Sequence, residues 1–109
     1  LSQREKEAKL LVKAANSMQG LVTNWEDATP EDITVALEYN KNLWALFYDR
    51  AEKASNQGKL EQTILSLGQF VFQHSGKILE ESDADRQQSM FDILISINRQ
   101  IATGLFSRR

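Results

Sequence analysis

The only proline of the chain stands in "TPED", Thr29 to Asp32, and it fixes a helix start more firmly than any other feature of the 109 residues. Proline is tolerated at the first helical position, where its missing N–H has no intrahelical acceptor to lose, and it breaks helix interiors. Thr29 supplies an N-cap oxygen, and Glu31 and Asp32 place carboxylates in the positive first turn. One helix therefore ends before this point and another starts at Pro30.

Other turn signals divide the rest of the chain. "SQRE" has the form of a capping box, with Ser2 accepting from first-turn amides and Glu5 reaching back, so a helix is expected over residues 3–27. "SNQGK", around Gly58, ends a second helix spanning 30–54 and precedes a third over 59–80. "ESDAD" gives a loop and an N-cap, Ser82 or Asp83, for a fourth over 84–106. No alternating strand pattern and no internal repeat occurs. These signals predict an all-α fold, a single domain over 1–109 in which about four helices pack as a small antiparallel up-and-down bundle.

Helical periodicity gives each segment an apolar face. The first uses Leu10, Leu11, Ala14, Ala15, Met18, Leu21, Val22 and Trp25; the third uses Leu60, Ile64, Leu67, Gly68, Val71, Phe72, Ile78 and Leu79. Gly68 on such a face predicts a close crossing with a bulky neighbour, for which Trp44 is the candidate. The second and fourth helices are wider. "YNKNLWALFY", Tyr39 to Tyr48, is part of an apolar arc of about 220°, twice the usual stripe, and the fourth helix repeats this with Met90, Phe91, Ile93, Leu94, Ile95, Ile97, Ile101, Ala102, Leu105 and Phe106. Either each is central to the bundle and touches two neighbours, or part of each arc faces a partner. Asn40 and Asn98 lie inside these arcs, where an amide must find hydrogen-bond partners. Each either ties a neighbouring helix or meets a partner's backbone in a groove.

Composition excludes much chemistry. Formal charge is -2 with pI near 5.4, so no cationic field for phosphate backbones is visible. Arg99, Arg108 and Arg109 are the exception, read as charge favouring a helix C-terminus over an RNA contact. The chain has no cysteine, which removes disulfides and thiolate chemistry and fits a reducing cytoplasm. No apolar run approaches the roughly 20 residues of a membrane helix. The sequence opens on Leu1 instead of Met, as expected of a trimmed start, so it is not read for targeting. The single histidine, His74, falls beside Gln73 and Lys77 toward a polar face, where a solvated residue is expected. The carboxylates of Glu80, Glu81, Asp83 and Asp85 belong to a loop. No metal-ligand spacing, phosphate loop or nucleophile elbow occurs, so neither an enzyme nor a cofactor or metal site is expected.

Recognition remains. Phe70 stands on the polar side of the third helix near Thr63, Ser66 and Gln73, while Val35, Tyr39 and Leu46 spill past the core edge of the second. Together with Ile93 and Ile97 on the wide fourth helix, they are the candidate partner-binding residues. A joint patch would suit a partner's amphipathic helix lying in a groove.

Three ordered blocks, "LEYNKNLWALF", "LSLGQFVF" and "LISINRQIATGL", preceded by the tryptophan of "LVTNWED", resemble the FlaF flagellar biosynthesis regulators of alphaproteobacteria. The likeness runs from about Arg4 to Leu105, and such families usually carry a further stretch before "REKEA". The resemblance implies a small cytoplasmic helical protein needed for flagellin production. It would act as a flagellin-binding export chaperone or as an adaptor coupling flagellin secretion to its synthesis, with the flagellin-message regulator FlbT as expected companion. Flagellin is then the expected partner, with no direct nucleic acid and no membrane. Alternatives are a regulator of flagellin mRNA translation acting with FlbT, and a structural homodimer in which the wide arcs pair across a twofold axis.

Overall fold

The computed structural model describes residues 2–107. Four helices follow in order, α1 (Gln3–Thr23), α2 (Pro30–Lys53), α3 (Lys59–Glu80) and α4 (Ala84–Ser107), and no strand occurs among the described residues.

Local chemistry explains the boundaries. At the start of α2, Thr29 Oγ1 accepts from the Asp32 N–H at 3.1 Å while the Asp32 carboxylate accepts from the Thr29 N–H at 2.9 Å, a reciprocal capping box around Pro30. Ser2 Oγ accepts from the Glu5 N–H at 3.1 Å, but Glu5 reaches back to the Ser2 hydroxyl, so only half of the expected box forms on α1. Of the two candidate caps for α4, Asp83 takes the role by accepting from the Arg86 N–H at 3.0 Å. The largest departure from the expected boundaries lies at the end of α1. The helix stops at Thr23 because the Asn24 backbone and side-chain amides both donate to Gly20 O, at 3.0 and 3.1 Å. The expected last turn, Trp25–Asp27, tightens instead into a 3-10 turn, with the Trp25 ring edge-on to Phe91 at a centroid distance of 6.0 Å.

The packing is antiparallel around the ring α1–α2–α3–α4. Arg50, late in α2, pairs with Glu7, early in α1, at 2.8 Å. Tyr48 of α2 packs on Gly68 of α3, and three turns earlier Leu37 shares a hollow with Leu79. Gln87 at the start of α4 donates to Ile78 O near the end of α3 at 2.9 Å, and Gln88 donates to Val22 O near the end of α1 at 3.0 Å. The second bond satisfies a carbonyl that a helix C-terminus leaves open, while Ile78 O also accepts from the Glu81 N–H at 3.2 Å. The α1–α4 pairing is the most extensive of the four and the α3–α4 pairing the thinnest.

Trp44, Phe91, Leu11, Met18, Leu37, Ile78 and Leu94 fill the centre and are closed to solvent. Among them lie Asn40 and Asn98, also with no exposed surface. Asn98 Oδ1 accepts from the Trp44 indole N–H at 2.9 Å, and its amide nitrogen donates to Asn40 Oδ1 at 2.7 Å and to Leu11 O at 3.3 Å. One side chain of α4 thus ties α2 and α1, so the two asparagines serve the bundle's own register. Asn40 Nδ2 is left without a partner. Gly68 does sit at a close crossing, but Tyr48, not Trp44, fills it: a Cβ there would come within 2.7 Å of Tyr48 Cδ2. Trp44 is unavailable because its indole points into the asparagine network.

Candidate partner-binding surface

Once this core is closed, most of the exposed large apolar side chains remain along two seams, with Leu79 apart from both. On the α1–α2 seam, α2 presents Val35, Tyr39 and Leu46, which recur at helical spacing on its outer edge. Val35 is 59% exposed and borders an open hollow with Ser17 and Leu21 of α1. Lys13 Nζ lies 5.9 Å from the centroid of the Tyr39 ring, close enough for a cation–π contact. Leu10, exposed on the same edge of α1 as Lys13 and Ser17, lengthens the track. From Val35 to Leu46 the track runs about 16 Å along α2, three turns of a helix laid alongside it.

The second seam lies between α3 and α4. Phe70 stacks nearly parallel on His74, with centroids 5.0 Å apart and planes at 16°. His74 Nε2 donates to Met90 O across the seam at 2.8 Å. Antiparallel register places Ile93 level with Phe70, one turn beyond Met90, and Ile93 is 43% exposed. The thin pairing of these helices leaves the apolar edge open.

The six candidate residues therefore divide. Val35, Tyr39 and Leu46 share the α1–α2 seam; Phe70 and Ile93 flank the α3–α4 seam on the other side of the bundle, so the expected joint patch does not form. Ile97 belongs to neither, being only 7% exposed. The wide apolar arc of α4 offers it a place on either side, but α4 lies against both α1 and α3, and Ile97 is buried. His74 also departs from expectation. It is half-buried and bridges two helices, because the polar-face position it occupies on α3 is the one that α4 overhangs. Leu10 and Leu79, assigned to core faces, are exposed. Each lies at the margin of its helix's apolar stripe, where periodicity does not say which neighbour arrives. The basic cluster with Arg99 is described only in part, since Arg108 and Arg109 lie outside the described residues.

No group of three metal-ligating side chains converges among the described residues, and none of their helices is long and apolar enough to cross a membrane. Ion pairs are peripheral: Arg50–Glu7, Lys53–Asp49 at 3.1 Å and Arg86–Glu81 at 3.8 Å. Such exposed pairs contribute at most about 1 kcal/mol.

A family model described as flagellar protein FlaF matches residues 1–105. The chain belongs to the FlaF family. Membership gives it a role in flagellar biogenesis, and the three sequence blocks quoted above contribute Asn40, Leu43, Trp44 and Phe47, then Val71, then Leu94, Ile97, Asn98 and Ala102 to the buried core. No curated protein and no solved structure matches the chain significantly.

Proposed function

We propose that this FlaF-family protein acts by binding flagellin, as a chaperone or adaptor that masks flagellin's amphipathic helices before export and couples secretion to synthesis. The observation that carries the reading is the surplus of apolar surface arranged as helix-length tracks on a bundle that has already built its own core. Patches of this kind mark interaction sites, and a track bounded by two helices suits a third laid along it. Flagellin's terminal segments, as the family likeness implies, are amphipathic helices that polymerise through their apolar faces, and they need cover until assembly. The α1–α2 seam is the principal groove in this reading, since it holds the longer track. Binding, not catalysis, is the activity, and the cytoplasm, where flagellin is made, is its place.

The test is a titration of purified flagellin from the same bacterium. A stoichiometric complex is expected, changing little in affinity with salt because apolar contact dominates. Replacing Val35, Tyr39 and Leu46 together with Glu should weaken it at least tenfold while helicity stays intact. Absence of a complex with any flagellin of the host would end the proposal. A steep salt dependence of RNA affinity would instead favour a regulator acting on message.

A further inference from the structure

At the end of the bundle where α1 and α3 begin and α2 and α4 finish, a cavity of about 240 Å³ opens between all four helices. Its floor is apolar, formed by Phe47, Leu60, Ile64, Ile101 and Leu105. Its polar wall holds four charged groups, Arg4, Glu7, Arg50 and Glu61.

Three of the four are engaged. Glu7 and Arg50 pair with each other at 2.8 Å, and Glu61 Oε1 accepts from the Gly58 N–H at 2.8 Å. Arg4 is the remaining one, and its Nη1 is shut off from solvent with no acceptor. A guanidinium N–H deprived of both water and protein acceptors is costly, and the fault is relieved by an anion brought from outside. Since Nη1 has no hydrogen bond in its present position, turning the guanidinium toward an incoming oxygen breaks none at that atom. Its planar fork matches a carboxylate with two parallel bonds.

We infer that this cavity is a binding site for an aliphatic carboxylate, with the carboxylate held by Arg4 and the hydrocarbon on the Phe47–Leu60–Ile101 floor. The volume is adequate: an apolar cavity of about 150 Å³ takes up benzene, so this one accommodates a group the size of a leucine side chain together with its carboxylate. The inference does not depend on which seam holds flagellin. Two sources carry the required chemistry, a free branched-chain acid and the carboxyl-terminal residue of a polypeptide.

The experiment follows backbone amides by NMR while the folded chain is titrated with 4-methylpentanoate, N-acetyl-leucine and N-acetyl-leucinamide. Both acids should give saturable shifts at Ala51, Leu60 and Ile101, and the amide, which lacks the charge, should bind about tenfold more weakly. If only the free acid or only the acetylated residue saturates, the site stands and its source is identified. Arg4→Gln should weaken binding about tenfold with thermal unfolding little changed. Ala54→Leu, which fills the cavity without touching Arg4, should abolish the shifts. Equal binding of amide and acid, unchanged affinity in Arg4→Gln, or no saturable shift at millimolar ligand would each overturn the assignment.

Discussion

Trp44 on α2 and Asn98 on α4, 54 residues apart in sequence, are both closed to solvent and joined by a hydrogen bond of 2.9 Å from the indole N–H to the amide oxygen. A buried indole needs an acceptor and a buried amide needs donors and acceptors, so each residue makes the other's burial tolerable. Asn98→Leu should destabilise the fold by about 3 kcal/mol, because it strands the Trp44 N–H and Asn40 Oδ1 in an apolar interior. Asn40→Leu should cost less, since it removes one bond and also an amide nitrogen that has no partner. Urea unfolding of both variants gives the order; a larger loss for Asn40→Leu would contradict the network as described.

Gly68 and Tyr48 make a second prediction with a sign. Alanine gains about 1 kcal/mol over glycine inside a helix, yet here its Cβ would stand 2.7 Å from Tyr48 Cδ2. The Tyr48 ring is also edge-on to Phe72 at 5.7 Å, which limits its retreat. Gly68→Ala should therefore destabilise by about 1 kcal/mol. In a Tyr48→Ala background the same change should stabilise. Thermal unfolding of the four chains measures the reversal, and its absence would mean the crossing is looser than drawn.

Ile93 and Ile97 are one turn apart on α4 and should behave oppositely. Ile93→Glu falls on an open seam and should alter stability by no more than about 0.5 kcal/mol. Ile97→Glu buries a carboxylate without a partner and should cost at least 3 kcal/mol, on the order of the unpaired buried charge it creates. Circular dichroism with urea separates the two; comparable losses would refute the division between seam and core.

Thr29→Ala removes the oxygen that accepts from the Asp32 N–H and half of the capping box. A loss of about 1 kcal/mol is expected. Amide exchange at Asp32 should quicken more than at residues in the middle of α2, and uniform quickening along the helix would argue against a local cap.

Helix number, order and most boundaries were legible because they depend on near neighbours. A threonine before a proline, an aspartate three residues on and an apolar residue every third or fourth position act within one or two turns of the chain. The same locality made the family blocks readable, and it put Val35, Tyr39, Leu46, Phe70 and Ile93 outside the core. It failed at Asn24, whose side-chain amide ended α1 early, although an asparagine that can hydrogen-bond its own backbone was a visible signal.

Only the tertiary structure decided which helix meets which edge. Ile97 and Ile93 have the same chemistry and nearly the same place on the wheel, yet α3 covers one and leaves the other open. His74 became a bridge to Met90, the candidate surface split into two seams, and Arg4 Nη1 was left without an acceptor beside a cavity lined by residues from four helices. Periodicity along one chain records that an edge is apolar; coverage of that edge depends on groups 16 to 87 residues away, as the bonds from His74 to Met90 and from Asn98 to Leu11 illustrate. Those distances lie beyond the reach of any local pattern, and the packing of whole helices fixes them.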